Sequence, residues 1–130
     1  MWAVGFTRGT ASGSLYQTLS EYQTLSEHWN GTAWSIVRSP DPVTGNNVLN
    51  QVAAVSSTDV WAVGYSYGST GGATPLMANW NGKKWQLIAA PVPAGTQTNE
   101  LAAVTALPTG AAWAVGRSDN QSLIITTSNG

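Results

Sequence analysis

The chain has 130 residues, a formal net charge of −1 at pH 7 and no cysteine. The lack of cysteine excludes disulfide bonds, thiolate metal sites and a cysteine nucleophile. A near-neutral charge without a basic stripe argues against nucleic acid or an anionic membrane as partner. Charged residues make up only 8% of the chain, against roughly 25% in ordinary soluble domains, so the surface depends on Ser, Thr, Asn and Gly.

No apolar run approaches the roughly 20 residues that a membrane-spanning helix needs, so no membrane span is predicted. The N-terminus also lacks the basic and apolar pattern of an export signal. If the parent protein is exported, we expect its signal to lie outside these residues.

The tetrapeptide Trp-Ala-Val-Gly occurs three times, beginning at Trp2, Trp61 and Trp113. The copies are about 52 to 59 residues apart. A period of this size indicates a tandem array of β units, such as the blades of a propeller, rather than one irregular domain.

The complete repeat contains four predicted strands, at residues 49–55, 60–64, 76–80 and 85–89. They are rich in Val, Ala and Trp and are separated by turn residues. Asn30-Gly31 and Asn81-Gly82 predict two-residue type I′ turns between the third and fourth strands, because both positions of that turn need positive φ. Four short antiparallel strands per repeat form a propeller blade, so the fold class is all-β.

The repeats divide the chain into three segments. Residues 1–43 are a partial blade with its second to fourth strands, 44–96 are a complete blade, and 97–130 are a partial blade with its first to third strands. Alignment on Asn-Gly places Ser128 where the other copies have Trp29 and Trp80. This incomplete propeller of about two and a half blades is short of the four to eight that close a ring, so we expect partners to be the remaining blades of a longer chain or further copies meeting at open strand edges.

A six-residue duplication interrupts the first segment, where Tyr-Gln-Thr-Leu-Ser-Glu at 16–21 is repeated at 22–27. We expect the second copy to form the third strand of its blade, because it runs directly into His28 and Trp29. The first copy then extends that strand or enlarges the preceding loop. An even insertion leaves inward and outward residues on their faces.

The seven tryptophans recur at three fixed positions of the repeat. A large ring at a fixed repeat position is typical of packing between blades, where each buries about 150–250 Å². Gly64 and Gly116, which end two of the tetrapeptides, are expected to leave room for a neighbouring backbone.

The Trp-Ala-Val-Gly tetrapeptide, the run 27–34 (Glu-His-Trp-Asn-Gly-Thr-Ala-Trp) and Ser39-Pro40 together resemble tandem propeller repeats of uncharacterised, mostly exported bacterial proteins, kelch-like or Asp-box-like in layout. The resemblance covers nearly the whole chain. It implies a propeller and an extracellular or cell-surface location, but no catalytic residue, since propellers serve binding, scaffolding and hydrolysis alike.

The residues suited to catalysis or metal binding do not converge. His28 is the only histidine, and Glu27 beside it points to the opposite face of a strand. A glycosidase needs two carboxylates about 5–9.5 Å apart, whereas Asp41, Asp59, Glu100 and Asp119 are separated by whole strands. The sequence therefore predicts no catalytic residue, no metal site and no cofactor.

Binding residues are expected on the long loops that join second to third strands and successive blades, because alternate connections share one face. This face carries Arg8, Arg38, Asp41, Tyr65, Tyr67, Arg117 and Asp119. The predicted ligand-binding residues are Tyr65, Tyr67, Arg117, Asp119 and Arg8, since aromatic faces and a guanidinium suit a sugar or a peptide.

These observations predict a non-enzymatic interaction or scaffold module. Two alternatives remain at this point: a carbohydrate-binding, lectin-like propeller, and a fragment of a glycan hydrolase whose active site needs the missing blades.

Overall fold

The computed structural model describes residues 1–8, 21–69 and 71–128, and within those ranges it contains ten strands and no helix. The strands are β1 (Trp2–Arg8), β2 (Tyr22–Trp29), β3 (Trp34–Ile36), β4 (Asn46–Ser56), β5 (Asp59–Tyr67), β6 (Ala73–Trp80), β7 (Trp85–Leu87), β8 (Asn99–Ala106), β9 (Ala111–Ser118) and β10 (Gln121–Ser128). The predicted all-β class is confirmed.

The strands form three antiparallel sheets, each built from neighbours in sequence. The first sheet has the order β1-β2-β3, the middle sheet β4-β5-β6-β7 and the third sheet β8-β9-β10. Each tetrapeptide lies in the strand that pairs with the Leu-containing strand after it. Among the described strands, none pairs with β1 at the place that β4 has beside β5, and none pairs with β10 at the place that β7 has beside β6.

The pairing register defines which residues are equivalent in the three sheets. Gly5 lies opposite Leu25, Gly64 opposite Leu76 and Gly116 opposite Leu123. Counted from these leucines, Thr127, which lies opposite Ala112, takes the place of Trp80, which lies opposite Val60. The assignment of Ser128 to that place was wrong, because one residue more separates Leu123 from the following Asn-Gly than separates Leu76 from Asn81.

The turns at Asn30 and Asn81 are longer than predicted. Trp29 pairs with Trp34, so four residues connect β2 to β3, and the same geometry recurs between Trp80 and Trp85. The side-chain Oδ1 of Asn30 accepts hydrogen bonds from the backbone amides of residues 32 and 33, at 2.8 and 2.9 Å. Only the glycines adopt positive φ, +105° and +90°. An asparagine that turns the backbone through its side chain replaces the predicted type I′ turn.

The middle sheet is covered on both faces. One face carries Trp61, Val63 and Met77, which form a buried cluster with apolar residues of the third sheet. The opposite face carries Val60, Ala62, Leu49, Leu76 and Ala78, against which Trp2 and Val4 of the first sheet pack. Because successive residues of a strand point to opposite faces, β5 is apolar at every position from Val60 to Val63.

The interpretation of the tryptophans as packing residues holds where a neighbouring sheet is present. Trp61 is 0% exposed, and Trp2 lies 5.0 Å from Trp80 and 5.3 Å from Trp85 between ring centroids. Trp113, at the same repeat position as Trp61, is 47% exposed because no described sheet covers that side of the third sheet. Trp34, 44% exposed, also departs from the expectation, whereas its equivalent Trp85 is buried and donates a hydrogen bond to Ser26.

Two amide side chains join the middle and third sheets at a β-bulge in β4. The Nδ2 of Asn50 donates to the carbonyl of Leu101 at 2.7 Å, and the Oε1 of Gln51 accepts from the amide of Val104 at 2.6 Å. The bulge lies between Leu49 and Gln51, opposite Gly64. It directs two consecutive amide residues to the neighbouring sheet.

Gly64 and Gly116 provide room for the first strand of their own sheet, as predicted. A Cβ at Gly64 would overlap the carbonyl oxygen of Val48, and one at Gly116 would overlap that of Glu100. Gly5 has the same repeat position, yet no described heavy atom lies within 4 Å of a Cβ placed there. The difference follows from the strand that the first sheet lacks.

The second copy of the duplicated hexapeptide forms β2, which pairs with β1 along its whole length, as predicted. Its paired register places Leu25 opposite Gly5. Residues 16–20 of the first copy lie outside the described residues.

The three tetrapeptide glycines offer a matched test of this packing. We expect Gly64→Ala and Gly116→Ala each to lower the free energy of unfolding by about 1–3 kcal/mol, because a methyl group is forced against backbone. Gly5→Ala should change it by no more than about 1 kcal/mol. Urea unfolding followed by tryptophan fluorescence measures all three, and equal losses at the three positions would contradict the assignment.

Candidate functional site

Tyr65 and Tyr67 lie at the end of β5, on a strand rather than on a loop. Their rings meet edge to face with centroids 6.3 Å apart and planes at 89°, and both residues are half-buried. Alternate residues of a strand share a face, which brings the two rings together. This pair is the aromatic part of the predicted binding patch.

Arg117 is engaged with Glu100, which lies directly opposite it on β8. Its Nε and Nη2 donate to the two carboxylate oxygens, each at 3.1 Å. These hydrogen bonds and the charge of Glu100 raise the pKa of the Arg117 guanidinium above its ordinary value, with smaller contributions from Tyr67 and Tyr65. The planar fork of Arg117 therefore already holds a carboxylate.

Asp119 turns the chain between β9 and β10. It has a φ of +50°, and its Oδ1 accepts from the amides of Gln97 and Thr98 at 3.1 and 2.8 Å. Asp tolerates positive φ better than most residues. The carboxylate thereby attaches the segment before β8 to the β9–β10 turn, and both of its oxygens face backbone amides.

Arg8 lies in the first sheet, at the end of β1. Its Nη2 donates to the hydroxyl of Tyr22 at 3.5 Å, and its guanidinium carbon lies 5.8 Å from the centroid of that ring. The structure brings the rings of Tyr65 and Tyr67 together, pairs Arg117 with Glu100 and pairs Arg8 with Tyr22.

The expected long-loop face is wrong in part. Arg8, Tyr65, Tyr67 and Arg117 belong to strands, which extend further than the apolar pattern indicated. The connection between the second and third strands of the last repeat is a turn of two residues, Asp119 and Asn120, rather than a long loop. The predicted strand at 60–64 ends too early because Tyr and Ser continue a ladder as well as Val does.

Two other carboxylates that are candidates for catalysis accept hydrogen bonds from neighbouring residues of the chain. Asp41 accepts from the amide of Thr24 at 2.7 Å, and Asp59 accepts from the Nδ2 of Asn79 at 2.8 Å. The ring of His28 contacts that of Trp2 in a tilted arrangement, with centroids 4.7 Å apart and planes at 43°. Within the described part of the chain, no three His, Asp or Glu residues are grouped to hold a metal ion.

A groove of about 480 Å³ lies on the uncovered side of the third sheet. Val115 and Ile124, a cross-strand pair, form part of its floor, and Glu100 and Arg117 lie at its polar end. We call the exposed side chains of Trp113, Val115 and Ile124 the open face. Its three residues are 47%, 44% and 63% exposed.

A second cleft, of about 330 Å³, was missed by the sequence reasoning. Arg38, from the segment after β3, and Lys83 and Lys84, from the turn between β6 and β7, line it together with Trp80 and Trp85. Three of the five Lys and Arg residues of the chain thus meet at one place. Arg38 and Lys83 are 45 residues apart in sequence, so no run of charged residues predicts this group. Only the packing of the repeats brings the three side chains together.

Comparison of the chain with models of known families, with characterised proteins and with solved structures gives no significant match. Across residues 1–8, 21–69 and 71–128, the structure has no helix long and apolar enough to cross a bilayer.

Two substitutions at Asp119 test whether its carboxylate holds the segment before β8 against the β9–β10 turn. We expect Asp119→Ala to lower the free energy of unfolding by about 1–2 kcal/mol, because two amides lose a charged acceptor and a less tolerant residue takes positive φ. Asp119→Asn keeps an acceptor oxygen and should lose less than half as much. Thermal or urea unfolding measures both, and an Ala variant as stable as the natural chain would rule out this role.

Proposed function

We propose that the chain is a non-enzymatic interaction or scaffold module, built of propeller-type repeats, whose third sheet presents a docking surface to a further β-sheet. Three consecutive antiparallel sheets with matched registers support the propeller-like interpretation. In this proposal the sheets correspond to two and a half blades, with boundaries near residues 43 and 96.

The open face is the observation that carries the proposal. Trp113, Val115 and Ile124 stand at the repeat positions of Trp61, Val63 and Met77, which are at most 1% exposed. The buried trio is covered by the third sheet, whereas no described element covers the exposed trio. A contiguous apolar patch of this kind marks an interaction site more often than isolated exposed residues do.

The pairing partner in this proposal is a β-sheet of the same kind, from further repeats of a longer chain or from a second copy. The two internal interfaces support this choice, because each places the same tetrapeptide tryptophan on one sheet against the next sheet along. By the resemblance noted in the sequence, the location we propose is extracellular or at the cell surface.

The contacts of the carboxylates favour binding over hydrolysis. Asp41 and Asp119 accept hydrogen bonds from backbone amides, and Glu100 forms an ion pair with Arg117. A glycosidase acid and nucleophile must instead converge on one substrate bond. A hydrolase would need its carboxylates from elsewhere.

Light scattering on the purified chain tests the docking surface. We expect the natural chain to self-associate with rising concentration, because an uncovered apolar face favours burial. The variant Trp113→Ser/Val115→Ser/Ile124→Ser should remain at the mass of one chain. The control Val92→Ser/Leu107→Ser removes two apolar residues of similar exposure, 41% and 43%, from other places and should associate like the natural chain. A natural chain that is monomeric throughout, or equal association by the open-face variant, overturns the proposal.

A second candidate function, binding of an acidic glycan, is favoured by the cleft at Arg38. Three cationic side chains line this cleft beside the half-buried ring of Trp80. Aromatic rings offer apolar faces to sugars, and cations attract carboxylates or sulfates. This cleft suits such a ligand better than the Tyr65 patch does, since Arg117 there is already paired.

Titration calorimetry with a uronic-acid oligosaccharide tests this second candidate. We expect the Lys83→Ala/Lys84→Ala variant to bind at least about tenfold more weakly than the natural chain, with affinity falling as salt rises. Arg8→Ala, which removes a cation elsewhere, should bind normally, and a neutral oligosaccharide should bind more weakly. No binding by the natural chain, or a loss at Arg8→Ala equal to that of the lysine variant, removes the candidate.

A further inference from the structure

The free edge of β1 is the place where the three sheets differ most. In the middle and third sheets the tetrapeptide strand is paired on both sides, with β4 and β6 around β5 and with β8 and β10 around β9. In the first sheet β2 is the one described strand that pairs with β1, which forms the edge of that sheet. Alternate backbone N–H and C=O groups of an edge strand point away from its one neighbour and can accept a further strand.

Gly5 shows that this edge is shaped for a strand like β4 or β8. At Gly64 and Gly116 the lack of a Cβ admits the backbone carbonyl of the first strand of the sheet, that of Val48 or Glu100. Gly5 lies opposite its leucine in the same register, yet no described atom uses the space that it leaves. At the two equivalent positions, Gly64 and Gly116, a bulged strand beside the glycine explains why a Cβ is not tolerated.

An apolar site for the side chain of such a strand is present as well. Leu49 of β4 packs in one buried cluster with Ala62 and Leu76 of its own sheet, and Leu101 of β8 packs with Ala114 and Leu123. The corresponding residues of the first sheet are Ala3 and Leu25, both half-buried. A leucine delivered at the same place would complete the same apolar contact.

We propose that the edge of β1 binds an extended segment donated by another polypeptide, with the chemistry of β4: an apolar pair followed by polar amides at a bulge. This inference depends on the proposed function, because it treats the three sheets as copies of one unit. Binding would add a fourth strand to the first sheet through main-chain hydrogen bonds, and the leucine contact would give it sequence preference.

Fluorescence anisotropy with a labelled peptide of the sequence of β4, Asn46–Ser56, tests the proposal on the full chain. We expect saturable binding by the natural chain and a loss of at least about tenfold in affinity for Gly5→Ala, because the added methyl group meets the backbone of the incoming strand. Gly5→Ala should fold normally, since nothing described lies near that methyl group in the free chain. Circular dichroism and urea unfolding verify this.

Two controls are matched to the test. Gly68→Ala adds a methyl group at another glycine with no described atom within 4 Å and should bind the peptide normally. A peptide with Leu49→Asp keeps the backbone but loses the apolar contact, and should bind at least about tenfold more weakly.

Other outcomes overturn the inference. No saturable binding, or equal affinity of the natural chain and Gly5→Ala, rules out the edge of β1. Loss of binding in the open-face variant with full binding by Gly5→Ala would place the peptide on the third sheet instead. Light scattering without peptide tests the proposed function separately. A failure of that proposal can therefore be distinguished from a failure of this one.

Discussion

The packing of each apolar sheet face against a neighbouring sheet is the interaction on which this structure depends. A sheet whose strands are apolar on alternate residues of both faces is stable only when a neighbour lies on each side. In this chain the middle sheet alone has two described neighbours, and its core residues Trp61, Val60 and Ala62 are completely buried. The outer sheets carry the same kind of strand with one side uncovered.

The repeat allows the exposure of equivalent residues to be compared within a single molecule. The same tryptophan position is fully buried in the middle sheet and nearly half exposed in the third. The open face and the vacant side of Gly5 are therefore two aspects of one pattern, in which surfaces that are internal to the repeat become external at the limits of the described array. Interaction is favoured there for a physical reason that requires no dedicated binding loop.

The sequence predicted the all-β class because periodic, strongly apolar strands leave few alternatives. The three tetrapeptides located the second strands, and the role of Gly64 followed from the lack of a Cβ. The turns at Asn30 and Asn81 were misjudged, because Asn-Gly serves a four-residue turn through the asparagine side chain as readily as a two-residue one. The exposure of Trp113 could not be derived from repeat position, since burial depends on a neighbouring sheet and not on the residue itself.

The candidate sites were less predictable than the fold. The rings of Tyr65 and Tyr67 contact each other, but the pairing of Arg117 with Glu100 is a cross-strand relation that needs the register. Arg38 and the two lysines meet because two sheets pack together, which no local pattern records. Convergence of side chains from different repeats is a property of the assembled array.

The amide side chains at the bulge of β4 fix how the third sheet lies on the middle one, through hydrogen bonds to the backbone of β8. In β8 the positions that correspond to Asn50 and Gln51 are Ala102 and Ala103. Methyl groups cannot specify an alignment as directional amides do. A sheet docked beyond the third would consequently receive from Ala102 and Ala103 no counterpart of the two amide hydrogen bonds that align the third sheet on the middle one.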